Sequence, residues 1–220
     1  MSFPFAIVGF DLDGTLLDTS RDLAAAANAA LAAAGRDPLP VEAVLARVGG
    51  GTRNMLAGVL DASGGGSKAE VDRLLPVLLG HYEANMTVHT RPYPGAVAAL
   101  DALAARGVTL AVVTNKLERF ATTLLEAAGL RERFACVIGG DTLPVGKPAP
   151  DGIREMVRRC GGGTAAFVGD SIYDVQAAKA AGVPVIACRF GFSPEAVDGL
   201  GADAVIDGFD ALLPTLERLT

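Results

Sequence analysis

Four short stretches of this 220-residue chain carry side chains whose types and spacing could do chemistry: Asp11-Leu12-Asp13-Gly14-Thr15, Thr114-Asn115-Lys116, Gly146-Lys147-Pro148, and Gly169-Asp170-Ser171 with Asp174 one helical turn further on. Each residue type answers a need of phosphate-ester hydrolysis. Uncatalysed monoester hydrolysis is among the slowest known reactions, with accelerations of up to about 10²¹-fold. A dianionic phosphoryl group repels an anionic nucleophile, and a hard divalent cation held by carboxylates, together with a lysine, removes that repulsion. An aspartate can then attack phosphorus and divide one hard step into two through an acyl phosphate. The leaving alkoxide needs a proton and the later water must lose one. A second carboxyl group two residues along can serve both steps.

The elements that must position these groups are legible as short runs rich in valine, isoleucine and phenylalanine. The pattern predicts buried strands over 5–10, 108–113, 135–138, 165–168 and 183–187, and a weaker one over 204–206. Helical patterns over 95–106, 118–128, 150–160, 172–181 and 209–218 alternate with the later strands. Strands alternating with helices imply an α/β fold with a doubly wound parallel sheet. In such a sheet ligands bind outside the carboxyl ends of the strands. The four stretches follow strands at that edge, so four carboxylates, Lys147 and two hydroxyls are expected to converge there. Residues 18–89 break the rhythm. They show no convincing strand and read as helices over 20–34, 40–47, 52–60 and 69–86, with a flexible glycine turn over 61–67. The expected organisation is a discontinuous core of residues 1–17 and 90–220 with a small all-helical domain, 18–89, inserted after the first strand.

Composition narrows the function classes. Half of the residues are apolar, enough for a sizeable core, and the formal net charge is −6. No lysine- or arginine-rich stripe exists to neutralise a polyphosphate backbone, which excludes nucleic acid as an expected partner. A small anion can still bind where positive groups are concentrated locally. The three cysteines, Cys136, Cys160 and Cys188, are widely spaced and suit a reducing compartment. Neither a signal peptide nor a membrane span is evident. A cytoplasmic protein, monomer or homodimer, is expected, with no membrane partner.

The four stretches also carry a resemblance. In order and on the expected strands, they resemble the four motifs of the haloacid dehalogenase superfamily, and the match spans nearly the whole chain. The helical insertion resembles that superfamily's mobile cap. The Leu16-Leu17-Asp18-Thr19 continuation, Pro92-Tyr93-Pro94-Gly95 and Ala177-Ala178-Lys179-Ala180-Ala181-Gly182 resemble its phosphoglycolate phosphatase branch. The resemblance implies that Asp11 is the nucleophile and a metal ligand. It implies that Asp13 is the general acid and base and offers its backbone carbonyl to the metal. Asp170 would be the third protein ligand, and Asp174 would hold a metal-bound water or orient Lys147. Thr114, Asn115 and Lys147 would grip the phosphoryl oxygens, with Gly14 and Thr15 in the turn beneath. The implied cofactor is Mg²⁺, which suits an oxygen-only site that leaves the ion several waters.

Specificity is expected in the inserted domain. Gly49-Gly50-Gly51-Thr52-Arg53 lies between two predicted helices, where glycines let backbone amides approach a ligand and a helix N-terminus favours anions. Gly50, Gly51, Thr52 and Arg53, together with Thr15 and Asn115 of the core, are the expected substrate-binding residues, Arg53 meeting a carboxylate or second anionic group. An ordinary helix–helix turn with a solvated arginine is the plainer reading. Plainer readings exist elsewhere too: Asp-Gly as a strand-to-turn transition, Lys147 as a solvated loop lysine, Thr114 as a helix cap, and Asp174 as an acid favourable to a helix dipole. His81 and His89 read as structural or surface residues.

Asp13 favours an oxygen leaving group, since a halide departs without a proton. The expected function is magnesium-dependent hydrolysis of a small phosphorylated metabolite, 2-phosphoglycolate first. A sugar-phosphate mutase, a pyrophosphatase and a broad sugar or nucleotide phosphatase share the same core residues and stay open. A response-regulator receiver is disfavoured because its phosphorylated aspartate follows the third strand.

Overall fold

In a computed structural model, which describes residues 3–192 and 194–219, the elements run β1 (Ile7–Phe10), β2 (Leu17–Asp18), α1 (Ser20–Ala33), α2 (Val41–Leu45), α3 (Thr52–Ala62), α4 (Lys68–Asn85), β3 (Arg91–Pro92), α5 (Ala96–Ala104), β4 (Thr109–Val113), α6 (Glu118–Ala127), β5 (Cys136–Ile138), α7 (Asp151–Arg159), β6 (Ala165–Gly169), α8 (Ile172–Ala181), β7 (Val185–Cys188), β8 (Ala204–Ile206) and α9 (Leu212–Arg218). The chain divides into two compact units, Met1–Asp18 with Pro92–Thr220, and Thr19–Arg91.

In the first unit six strands form one sheet in the order β5-β4-β1-β6-β7-β8. Every neighbouring pair is parallel. The strands read as near-continuous apolar runs because both faces are covered, the usual condition of an all-parallel sheet. Alternate residues, among them Ile7, Val113, Ile138 and Phe167, join Ile153 and Met156 of α7 and Val175 and Ala178 of α8 in one buried cluster. The expected doubly wound α/β class is what the chain adopts. The register decides where the chemistry lies. Phe10 of β1 stands beside Val112 of β4 and Val168 of β6. Asp11, Thr114 and Asp170 therefore leave adjacent strands at one edge.

In the second unit α1 packs against α4 and α2, and α3 against α4. Its sequence ends are tied by one buried acid: the Asp22 carboxylate accepts from the His89 and Thr90 amides and from the Thr90 hydroxyl, at 2.9 to 3.1 Å. The glycine turn expected to be flexible is braced instead. Gly65 N donates to Leu60 O at 3.0 Å, and Arg36 Nη1 donates to the same carbonyl at 3.0 Å. The other nitrogen of that guanidinium forks onto both oxygens of Glu70 at 2.9 Å. Among the described residues no helix is long and apolar enough to cross a membrane.

Candidate active site

Asp11 is the first residue past β1, and its amide donates to Val168 O at 2.8 Å, which fixes it against the end of β6. Its carboxylate is buried. Lys147 reaches it from the loop after β5, with Nζ 2.9 Å from Asp11 Oδ1 and 2.5 Å from Asp174 Oδ1. The same ammonium donates to Val113 O at 2.9 Å. Through these contacts Lys147 ties the ends of β1 and β4 to the start of α8. Asp174 is wholly buried. Its second oxygen accepts from Ser171 N at 3.0 Å and Ser171 Oγ at 2.6 Å, so the acid at the start of α8 both caps that helix and aims Lys147.

Asp170 is held from two sides. Thr15 Oγ1 donates to its Oδ1 at 3.1 Å and Phe192 N to its Oδ2 at 2.9 Å. Gly14 makes the approach possible: its φ is 78°, and a Cβ there would fall 2.3 Å from Asp170 Oδ2. A side chain is thus excluded by backbone conformation and by space alike.

Burial governs the charges. It pushes the Asp11 carboxyl up to about 6, with Lys147 opposing and the Asp174 carboxylate reinforcing. It raises Asp170 well above its ordinary value, with Asp174 and Asp11 adding to the effect. Burial works against the charge on Lys147, but Asp11 and Asp174 outweigh it and hold the ammonium above its usual range.

One ligand oxygen from each of Asp11, Asp170 and Asp174 lies within 4.8 Å of the others. Asp11 Oδ1 is buried without a donor in hydrogen-bonding geometry, the Lys147 contact being an ion pair off the bonding direction. Three buried carboxylates around one lysine leave excess negative charge and an all-oxygen donor set. Both fit a hard divalent cation.

The structure brings Asp11, Asp13, Thr15, Thr114, Asn115, Lys147, Asp170 and Asp174 to this one edge, in side-chain roles that differ in part from expectation. Thr15, expected at the substrate, is fully buried and supports Asp170. Asn115, expected on phosphoryl oxygens, donates from Nδ2 to Lys147 O at 2.8 Å and so braces the lysine's loop. The Thr114 hydroxyl accepts from Lys116 N at 3.2 Å. Asp13's carboxylate is outside the acidic trio and faces Lys116, whose Nζ donates to its two oxygens at 2.8 and 2.9 Å. Lys116 had no assigned role in the sequence reading. The adjacency of β1 and β4 was the signal that could have found it, since Asp13 and Lys116 each stand three residues past their strands.

The remaining expected residues belong to the helical unit. Gly50 O accepts from Asn54 Nδ2 at 2.8 Å, Gly51 has a φ of 88°, and Thr52 opens α3. Arg53 Nη1 pairs with Asp72 Oδ1 at 2.5 Å, both side chains about half exposed.

The sequence profile of the haloacid dehalogenase-like hydrolases matches residues 5–182. A phosphoglycolate phosphatase of Agrobacterium fabrum is 42% identical over 216 residues, covering 97% of this chain and 92% of its own. One of Mesorhizobium japonicum is 42% identical over 217 residues, covering 97% and 96%. A solved structure from Haemophilus somnus, described as a predicted phosphoglycolate phosphatase, superposes with a TM-score of 0.90 at 30% identity, covering 96% of this chain and 97% of that one.

Proposed function

The chain belongs to the haloacid dehalogenase-like hydrolases and is a phosphatase, and we propose that it hydrolyses 2-phosphoglycolate through a phospho-aspartate on Asp11. The observation that carries this reading is the buried line Asp174–Lys147–Asp11, which presents one carboxylate beside a fixed ammonium at the ligand-binding edge of the sheet. The substrate follows from the relatives, whose names specify phosphoglycolate.

Asp11 would attack phosphorus, forming an Asp11 O–P bond as the ester P–O bond breaks. The proton on the departing glycolate oxygen would come from Asp13. In the second step Asp13 takes a proton from water as the water oxygen bonds to phosphorus, the Asp11 O–P bond breaks and inorganic phosphate leaves. Lys147 offers positive charge to the phosphoryl oxygens, and Asp174 and Asn115 keep it in place. Asp11 and Asp170, with the Asp13 backbone carbonyl, would hold Mg²⁺, and Asp174 would act from behind them. When bound, the ion supplies charge neutralisation at the transferring group. Gly50, Gly51, Thr52 and Arg53 are the proposed substrate-side residues of the helical unit, and the cytoplasm is the proposed location.

Phosphate release with Mg²⁺ from 2-phosphoglycolate, sugar phosphates, nucleotides and pyrophosphate tests the reading. It expects 2-phosphoglycolate to lead by more than about tenfold in kcat/KM. Even turnover across the panel would make the protein a broad phosphatase. Turnover of a sugar phosphate to its isomer without phosphate release would make it a mutase.

A further inference from the structure

Among the described residues only two cationic side chains are buried, Lys147 and Lys116. Lys147 is held between Asp11 and Asp174 and serves the phosphoryl side. Lys116 stands on the other side, against Asp13, with its side chain 5% exposed and that of Asp13 11% exposed. It is placed by backbone as well as by charge. Gly140 N donates to Lys116 O at 2.7 Å, and a Cβ at Gly140 would fall 2.4 Å from Asn115 O. A buried lysine gripped at both ends of its residue is a built feature, in contrast to the half-exposed Arg53 paired with Asp72.

We propose that Lys116 is the residue that binds the carboxylate of the leaving group, and so selects phosphorylated acids over neutral phosphate esters. The inference rests on the phosphatase reading and on Asp13 serving the leaving oxygen. To do so Asp13 must stand about 2.6–3.2 Å from that oxygen. Lys116 Nζ is 2.8 Å from Asp13 Oδ1, so it would stand on the leaving-group side. In glycolate the carboxylate is separated from the ester oxygen by one methylene, which brings it within reach of an ammonium bonded to Asp13. The charge of the ammonium then acts on the substrate carboxylate and on Asp13 at once. Without that cation a substrate carboxylate would stand beside Asp13 with no countercharge. A neutral leaving group has no such need, and a buried cation near it confers no advantage.

The test compares kcat and KM for 2-phosphoglycolate and its carboxamide analogue in wild type, Lys116→Gln and Lys116→Met, with saturating Mg²⁺ and a thermal melt to establish folding. Glutamine keeps a donor for Asp13 and removes the charge; methionine serves if the glutamine variant does not fold. Wild type is expected to favour the acid. The variants are expected to lose about 10- to 100-fold of that acid-to-amide ratio, mainly through KM for the acid. A fall in kcat shared equally by both substrates, with the ratio unchanged, would mean that Lys116 only positions Asp13, and the proposal would be overturned while the phosphatase reading stood. An unchanged ratio in these variants with loss of the ratio in Arg53→Ala would move the carboxylate site to Arg53 and also overturn it. Absence of turnover on either substrate in wild type would remove the underlying reading as well.

Discussion

An ammonium with almost no exposed surface, wedged between two carboxylates and a carbonyl, sets the energetics of the site residue by residue. Lys147 is the countercharge of both Asp11 and Asp174. Breaking a buried pair by removing one partner typically costs about 3–5 kcal/mol, because the other charge is left uncompensated. Lys147→Met is therefore expected to lower the melting temperature and to reduce kcat by at least about 10³-fold; a melt and a turnover assay check both. Asp11 gives a pH signature. Its carboxyl ionises at about 6 against an ordinary 3.8, so the folded chain holds the proton more tightly than the unfolded one. Its stabilising effect is complete below the unfolded value and is lost as the pH rises through about 6, on the order of 3 kcal/mol. Asp170 shifts in the same direction. Chelator-treated protein is thus expected to gain more stability from added Mg²⁺ at about pH 7 than at about pH 5, where protons compete for the same carboxylates. Melts with and without the ion at both pH values measure this, and equal gains would contradict it.

At the scale of elements, the loops past β1, β4 and β6 are shaped by close backbone contact. The Gly140 amide holds Lys116 O, and there is no room for a Cβ against Asn115 O. Gly140→Ala should force the 115–116 segment aside, costing about 1–3 kcal/mol and lowering kcat/KM more than a surface substitution would; kinetics and denaturant unfolding give both numbers. In the helical unit, Asp22 closes the two ends of the insert through four hydrogen bonds. Asp22→Ala leaves the buried Thr90 amide and hydroxyl, and the His89 amide at the surface, without that acceptor and is expected to cost more than the ~1 kcal/mol of an ordinary hydrogen bond. Most of these elements were legible beforehand. Apolar runs three to six residues long marked the six strands of the parallel sheet to within a residue or two, and the 3.6-residue rhythm marked α1 to α4; the two-residue strands β2 and β3 were not marked. The bracing of the glycine turn was not legible, because Arg36 reaches Leu60 and Glu70 across sequence gaps that no local pattern marks.

For the whole molecule, a formal charge of −6 and an anionic substrate are reconciled by placing two buried lysines at the one edge where the strands end, so that the local field differs from the overall one. The four motifs gave the acids and Lys147 from residue types alone, because the chemistry of phosphoryl transfer restricts which types can serve. The strand order lay beyond that reasoning, and with it the adjacency of β1 and β4 that sets Lys116 against Asp13 and turns Asn115 onto the Lys147 loop. Charge and motif could mark these residues for one edge in advance; the contacts created by register needed the fold.

The covalent role of Asp11 is tested most directly by rapid acid quench of the Mg²⁺-loaded enzyme during turnover of phosphorus-labelled 2-phosphoglycolate, followed by peptide mapping. Label is expected on the peptide containing Asp11, removed by hydroxylamine as an acyl phosphate is, and absent in Asp11→Asn. Phosphate release with no label on the chain at any quench time, or turnover retained in Asp11→Asn, would contradict it.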